Sequence, residues 1–302
     1  MSAASPADAL AAPIAAERVP FWRTPIFRRL IRHRSFTIGL GLFLFVLALA
    51  VLAPLIAPSD PNRTAIRVRF REPEWNWVFL FGTDNLGRNM LARVVYGGRL
   101  SLAIGFGVVM MNAVFGVVLG AAAGYFRRLD GPLMRLADSL MAFPAVLLAI
   151  GIAAALGPSA MTAVIALSVV YIPRTARIVR ASVLVVREME YVQAARAAGA
   201  GNWRIIRRHI MPNCMAPLIV QLSFIFAYAV LSEAVLSFLG LGAPPDVPSW
   251  GILIAEGRTY IREAAWLTVI PGIAIAITVL GLNLLGDGLR DVLDPRLKVE
   301  QG

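Results

Sequence analysis

Five long stretches without a charged residue determine what this chain can fold into. They cover residues 36–59, 100–126, 139–173, 210–232 and 264–286. A helix needs about 20 apolar residues to cross roughly 30 Å of hydrocarbon, so four stretches hold one membrane span each and the longest holds two. Gly157, Pro158 and Ser159 provide the turn between those two. With 58% hydrophobic and 16% charged residues, the predicted fold class is all-α: a polytopic membrane protein with six transmembrane helices.

The spans divide the chain into five parts. We expect a cytoplasmic N-terminal tail over 1–35, a first transmembrane helix over 36–58, an extracytoplasmic loop over 59–99, a helical membrane core over 100–288 and a cytoplasmic C-terminal tail over 289–302. The orientation follows from Lys and Arg, since 20 of the 29 then lie on the inner side. Seven of the others lie in the outer loop, which works against this orientation.

Composition and motifs exclude several functions. The net charge of +11 comes from arginines that flank membrane spans, so it indicates contact with lipid headgroups and not with nucleic acid. Residues 1–20 lack the apolar core of a signal peptide. A single cysteine, Cys214, allows no disulfide and no thiolate metal cluster, and His33 and His209 lie in separate loops. Because no catalytic or ATP-binding motif is present, we expect no enzyme activity, metal or cofactor in this chain.

One charged segment between spans has the features of a surface that docks on a cytoplasmic partner. We call residues 187–212 the docking segment. Its alanines allow close approach, and Gly199 and Gly201 are expected to separate two short helices. Asn202 is the predicted N-cap of the second helix, and Pro212 its predicted end. Regular helical spacing places Trp203, Ile206 and Ile210 on one face and the arginines 204, 207 and 208 on the other.

A few residues inside the spans are candidates for a pathway or gate. Pro144 and Pro271 free a backbone carbonyl and kink a helix, which serves either a moving gate or a static bend. Glu233 is the only acidic residue deep in an apolar stretch, so it is either a pathway residue or an interfacial one bonded to backbone. The glycines 116, 120 and 124 form a smooth stripe, which predicts close helix packing.

Four blocks of the chain resemble a known family. They are FGTDNLGRN from Phe81 with GRLSL from Gly98, then AAGY from Ala122 with FP at Phe143, then the docking segment, and finally LSFLGLG from Leu236 through PSWG to LDPRL at Leu293. Together they resemble the inner-membrane permease subunit of ABC importers, specifically the C-type permease of the dipeptide/oligopeptide pair. The resemblance implies that five of the six transmembrane helices form the permease core.

The resemblance also implies partners and roles. It implies an ATP-driven importer in the cell inner membrane with a second permease, two ATPase subunits that bind ATP and Mg²⁺, and an extracytoplasmic solute-binding protein. Within the docking segment the residues implied to couple to the ATPase are Glu190, Tyr191, Gln193, Ala194, Ala195, Ala198, Gly199, Trp203, Arg204, Ile210 and Pro212. Pro248, Ser249 and Trp250 are the candidate contacts for the binding protein. Gln193 replaces the glutamate that is usual in this family, and Met211 replaces leucine.

Two questions stay open at this point. A proton-coupled secondary transporter that uses Glu233, with Asp138 as a second relay group, is the alternative function. The solute is also open, because members of the family carry dipeptides, oligopeptides, glutathione or nickel chelates.

Overall fold

The computed structural model describes residues 25–244 and 246–293; the outermost parts of both predicted tails lie outside this range. The described part contains helices and no β-strand. Its α-helices are α1 (Pro25–Arg32), α2 (Arg34–Val51), α3 (Ala53–Ile56), α4 (Met90–Met111), α5 (Val117–Tyr125), α6 (Arg127–Met141), α7 (Ala145–Leu156), α8 (Ala160–Val186), α9 (Glu190–Ala197), α10 (Asn202–Ile205), α11 (Met211–Phe238), α12 (Trp250–Gly257) and α13 (Trp266–Leu293).

The predicted spans correspond to five long apolar helices and one broken one. The long helices are Arg34–Val51, Met90–Tyr125, Ala160–Val186, Asn202–Phe238 and Trp266–Leu293. The third predicted span is instead the pair α6 and α7, which meet at 91°. With 12 residues, α7 is about 18 Å long and too short to cross a bilayer alone. Six spans therefore result only when this pair counts as one.

Pro144 lies at the break in this pair and not inside a helix. It is the N-cap residue of α7, with a non-helical ψ of 127°. Because proline has no backbone N–H, it fits at the start of a helix, where an N–H would have no partner within the helix. The expectation of a kinked but continuous helix at Pro144 is therefore wrong. Pro271, by contrast, lies inside α13 as expected.

The second span starts earlier than its uncharged stretch. Asn89 caps the helix by accepting a hydrogen bond from the Ala92 backbone N–H at 3.2 Å, and α4 runs from Met90. The last part of the predicted outer loop is therefore helical. A single π turn, Asn112–Gly116, joins α4 to α5. Its buried Asn112 amide donates to the Val108 carbonyl and accepts from the Thr175 hydroxyl, which ties this turn to α8.

The glycine stripe of α5 lies against α8, which confirms the predicted close packing. A Cβ at Gly120 would approach the Ala176 carbonyl oxygen to 2.5 Å, and one at Gly124 would approach the Val183 Cβ to 2.7 Å. Because only a residue without a Cβ fits there, the two backbones approach closely along α5. The helix α8 itself continues through Pro173 and past Arg174.

Both described ends of the chain lie at the end of the molecule that carries the docking segment. The helix α11 leads away from that segment, α12 lies at the far end, and α13 returns. Near the end of α13, Asp291 lies 3.4 Å from His33, just after α1. The N-terminal helix, the C-terminal helix end and the docking segment therefore share one side.

Candidate functional site

The first helix of the docking segment ends where the sequence predicts. At the end of α9, the Ala200 N–H donates to the Ala195 carbonyl and the Gly199 N–H donates to the Arg196 carbonyl, both at 3.0 Å. Gly199 has a φ of +79°, which favours glycine. These features define a Schellman cap, in which a glycine in the left-handed region closes the helix. The predicted role of Gly199 as a helix terminator is confirmed.

The second helix differs from the prediction at both ends. Gly201 and not Asn202 is the N-cap residue of α10, and Asn202 is the first helical residue. At the other end Pro212 does not stop the helix. The chain passes through a π turn, Ile206–Ile210, directly into α11. Pro212 has no N–H to donate, so the regular series of backbone hydrogen bonds is interrupted there. The π turn before it lets the helix continue despite this interruption.

The π turn also changes which side chains face the protein. Ile205 and Ile210 are buried, whereas Trp203 is 72% exposed and Ile206 is only partly covered. Residues 205 and 210 are five apart, which is the hydrogen-bond spacing of a π-helix. They therefore share a face that regular α-helical spacing does not predict. The expected apolar face through residues 203, 206 and 210 is therefore wrong, and Trp203 faces outward.

Three buried side chains anchor the docking segment on the membrane helices. Val192 of α9, Ile205 and Ile210 are each 0–1% exposed. They share one apolar cluster with Val183 of α8 and Cys214 of α11. Burying a side chain of this size contributes about 1.5–3 kcal/mol. The docking segment is thus held on the ends of α8 and α11.

Hydrogen bonds add to this anchor. The Arg187 guanidinium donates to the Gly124 carbonyl at 2.7 Å, and the Tyr125 hydroxyl donates to the Asn202 side chain at 2.9 Å. Gln193 donates its side-chain amide to the Arg187 carbonyl at 3.2 Å. An ionised glutamate side chain has no hydrogen to donate. A glutamate at position 193 would therefore not make this hydrogen bond.

The outward surface of the docking segment combines small, aromatic and basic side chains. Most of the residues singled out from the sequence are exposed on it: Glu190, Tyr191, Gln193, Ala194, Ala198, Gly199, Trp203, Arg204 and Pro212. Ala195 is half-buried, and Ile210 belongs to the anchor. The structure therefore brings the predicted residues together on one surface, except for Ile210, which holds that surface in place.

Pro248, Ser249 and Trp250, predicted to contact a binding protein, are buried at the opposite end of the molecule. The Trp250 indole donates to the Val94 carbonyl at 2.9 Å, and its ring lies on Gly98 of α4. Ser249 is fully enclosed and accepts from the Ile252 N–H as the N-cap of α12. These residues pack α12 on α4, so they offer no contact surface, contrary to the expectation from the sequence.

A cluster of four charges beside α12 is a feature that the sequence analysis missed. Arg93 of α4, which is 1% exposed, donates to Glu256 at 2.5 Å and to Asp84 at 3.0 Å. Arg88 donates to Asp84 at 2.5 Å and to Glu256 at 2.8 Å. Asp84 also accepts from two backbone N–H groups of its own loop. The cluster joins the outer loop, α4 and α12; Glu256 carries no local sequence signal that identifies it.

Glu233 is fully buried within this single chain, close to Ser101 and Ser249. One carboxyl oxygen accepts from the Ser237 hydroxyl at 2.7 Å, and the other has no hydrogen-bond partner among the described residues. Glu233 lies five residues before Phe238, the end of α11, and its hydrogen bond is with a side chain and not with backbone as expected. A residue with no exposure in the isolated chain does not line an open pathway, and Asp138 pairs with Arg177 at 2.5 Å on the surface. The proton-relay alternative therefore gains no support. Within the described ranges, no group of three or more His, Cys, Asp or Glu is arranged for a metal ion.

Several named proteins are similar in sequence to most of this chain. The family described as binding-protein-dependent transport system inner membrane component matches residues 112–299, and the N-terminal TM domain of oligopeptide transport permease C matches residues 21–73. A Brucella abortus protein provisionally named a peptide transport system permease is 56% identical over 96% of this chain and 99% of its own. The dipeptide transport system permease DppC of Haemophilus influenzae is 42% identical, covering 88% and 92%, and the glutathione permease GsiD of Pectobacterium atrosepticum is 39% identical, covering 92% and 92%.

Solved structures agree on the fold. A chain of the MetNI methionine ABC transporter in inward-facing conformations has a TM-score of 0.56 at 20% identity, covering 68% of this chain and 98% of its own. A chain of an amino acid ABC transporter has a TM-score of 0.51 at 15% identity, covering 65% and 91%. Given the matched domain, the extent of the close relatives and this fold, the chain belongs to the family of binding-protein-dependent transport system inner membrane components, the permease subunits of ABC importers.

Proposed function

We propose that this permease carries short peptides across the cell inner membrane, with both of its termini in the cytoplasm. It acts with a second permease subunit, two ATPase subunits that hold ATP and Mg²⁺, and an extracytoplasmic binding protein that delivers the solute. Support for a peptide solute comes from relatives named for dipeptide and for glutathione transport, which is transport of a short peptide in both cases. The shared side of the two chain ends and the docking segment supports the orientation.

The docking segment is the coupling element in this proposal. The observation that carries it is an exposed surface of alanines and aromatic rings which is held on α8 and α11 by three buried side chains. Small residues let the ATPase approach the backbone of α9, and Tyr191 and Trp203 provide apolar contact area. When ATP closes the ATPase dimer, the segment moves with it. Because the anchor is apolar and closely packed, α8 and α11 rotate together and change access to the pathway.

Basic side chains set the charge of this surface. Arg196, Arg204, Arg207 and Arg208 are all exposed on or beside α9 and α10. Such a surface complements acidic groups on a partner, which raises the rate of association and selects the correct partner. We infer that the cleft in the ATPase subunit that receives the docking segment is lined with acidic residues.

The binding protein meets the outer end of the molecule between residues 240 and 263, in the exposed part of this region. A cavity of about 530 Å³ opens there, with Asp246, Arg258 and Tyr260 among its lining residues. Its charged rim offers polar contacts, whereas the buried Trp250 belongs to the support beneath it. This surface replaces the buried residues 248–250 as the candidate contact.

Substitution of one exposed alanine tests the coupling role. Ala194→Asp places a charge on the surface of α9 without backbone strain, because residue 194 is helical. A buried unpaired charge in an interface typically costs about 2–5 kcal/mol, so we expect at least a tenfold loss of ATPase subunits that copurify and a matching loss of uptake. Reconstituted peptide uptake and the copurified ATPase fraction measure both effects.

Two variants serve as controls. Ala194→Ser keeps the small size without adding a charge and should retain at least half of the parent uptake. Ala265→Asp makes the same change at an exposed alanine on the far end of the molecule, where α13 begins, and should retain the ATPase. Normal uptake and normal copurification in Ala194→Asp would remove the docking segment from the coupling interface.

A further inference from the structure

An arginine inside the span α8 carries this inference. Arg174 is 14 residues from Ala160 and 12 from Val186, the two ends of α8. At about 1.5 Å per residue it therefore lies some 20 Å from one end and 18 Å from the other, near the middle of the helix. Its side chain is exposed in this chain.

Arg174 differs from its neighbours in having no acidic partner. Arg177 pairs with Asp138 at 2.5 Å and Arg180 pairs with Asp130 at 2.5 Å, one and two turns nearer to the docking segment. No carboxylate of residues 25–244 or 246–293 pairs with Arg174. Its guanidinium lies 5.6 Å from the centre of the Tyr171 ring. A guanidinium at this depth is costly against lipid tails, so it is expected to face a water-filled pathway.

Two tyrosines form a polar platform beside this guanidinium. The rings of Tyr171 and Tyr228 are 6.4 Å apart and inclined by only 24°. The Tyr171 hydroxyl is 2.8 Å from the Ser232 hydroxyl, which fixes its ring between α8 and α11. Tyr228 is 47% exposed and lies 10 residues from Phe238, the end of α11. Arg174 and the exposed Tyr228 therefore share one face at the junction of α8 and α11.

A cavity of about 500 Å³ lies on the same face, one turn closer to the docking segment. Its lining includes Ile178, four residues after Arg174, and Phe224, four residues before Tyr228. Residues four apart in a helix lie one above the other, so the cavity follows the face that carries the guanidinium and the tyrosine. The cavity is mostly apolar, with Gln221 and Arg290 as the polar residues of its lining. Its size suits one or two amino-acid side chains.

We propose that Arg174 binds the C-terminal carboxylate of the peptide in transit. This inference rests on the proposed function. A planar guanidinium donates two parallel hydrogen bonds to a carboxylate, the one charged group that every short peptide has at its C-terminus regardless of sequence. The exposed Tyr228 side chain lies beside this pair through its stacking on Tyr171, and the mostly apolar cavity accepts side chains of varied shape. The site therefore selects for a free carboxylate and tolerates different residues.

The first test compares two neighbouring arginines in the assembled transporter. Arg174→Gln removes the charge inside the span, whereas Arg177→Gln, the control, removes a charge one turn away that pairs on the surface. Reconstituted uptake of a dipeptide should fall at least tenfold in Arg174→Gln, because the variant loses both charge-assisted hydrogen bonds to the carboxylate. We expect Arg177→Gln to stay within about threefold of the parent.

A labelling test separates ligand contact from a structural role. In a chain with Cys214→Ala and Tyr228→Cys, which keeps Arg174, a charged methanethiosulfonate reagent should react with residue 228, and the dipeptide should slow this reaction at least twofold during turnover. No labelling in the complex places residue 228 and the neighbouring Arg174 against the second permease, and labelling by a membrane-permeant reagent alone places them against lipid. Either result, or labelling that ignores the dipeptide, overturns the proposal.

The two tests also separate this inference from the proposed function. If the parent transporter takes up no peptide at all, the proposed function is wrong. If the parent transports peptide and Arg174→Gln transports it equally well, only the carboxylate site is wrong.

Discussion

Removal of Glu256 should destabilise the outer end of the molecule. In the parent, Glu256 accepts from Arg93 at 2.5 and 3.3 Å and from Arg88 at 2.8 Å, and Asp84 accepts from the same two arginines. The cluster therefore holds two positive and two negative charges. Glu256→Gln keeps the shape of the side chain but leaves the cluster with a net charge of +1 around an arginine that is 1% exposed.

The structure sets the size of the effect. Breaking a buried ion pair by removing one partner costs about 3–5 kcal/mol, because an uncompensated charge stays buried. Two facts reduce this value: Glu256 is 32% exposed, so water enters, and Asp84 still accepts from Arg93 at 3.0 Å. We therefore expect a loss of about 2 kcal/mol in the free energy of unfolding, or roughly a 30-fold change in the unfolding equilibrium constant.

Unfolding in mixed micelles measures this loss. The purified permease is titrated with sodium dodecyl sulfate, and tryptophan fluorescence reports the transition, since Trp250 and Trp266 lie close to the cluster. Glu263→Gln, an exposed acidic residue of the same outer segment, is the matched control and should change stability by less than about 0.5 kcal/mol. If Glu256→Gln is as stable as Glu263→Gln, the cluster does not hold α12 on α4 and this reasoning is refuted.

Two further predictions concern energy coupling and orientation. Glu233→Gln retains a hydrogen-bonding side chain and loses the titratable proton, so reconstituted uptake should stay ATP-dependent, remain insensitive to a collapsed proton gradient and keep its rate within about twofold; uptake that follows the gradient in the parent and vanishes in this variant would restore the proton-coupled alternative. In a Cys214→Ala background, single cysteines at the exposed positions Asn76 and Asp246 should react with an impermeant thiol reagent from outside, and one at Asn202 only after the membrane is opened. Labelling of position 76 from the inside alone would reverse the assigned orientation.

Much of the architecture follows from local properties of the sequence. Uncharged stretches of sufficient length predict membrane helices because a bilayer leaves no other way to satisfy a buried backbone. The stop at Gly199 is equally local, since it depends on one residue that tolerates a positive φ. The close packing of α5 on α8 follows from the regular spacing of its glycines.

Departures from the prediction begin where regular helical spacing fails. Pro212 displaces the helical register through a π turn, so Ile205 replaces Trp203 on the buried face. Pro144 separates α6 from α7 and does not bend one continuous span. In both cases the sequence shows that a proline is present, but the surrounding packing decides whether the helix widens, breaks or continues.

Which polar side chains meet is decided by the tertiary structure alone. Glu256 pairs with Arg93, 163 residues away, and the Trp250 indole donates to the Val94 carbonyl, 156 residues away. Arg174 belongs to a run of arginines in the sequence, yet it is the one within α8 that the described carboxylates leave without a partner. The sequence by itself determines which segments are long and apolar enough to cross a membrane, since hydrophobicity acts along the chain. Only the folded arrangement of those helices determines which charges are paired, because pairing depends on the distance between atoms that are far apart in the sequence.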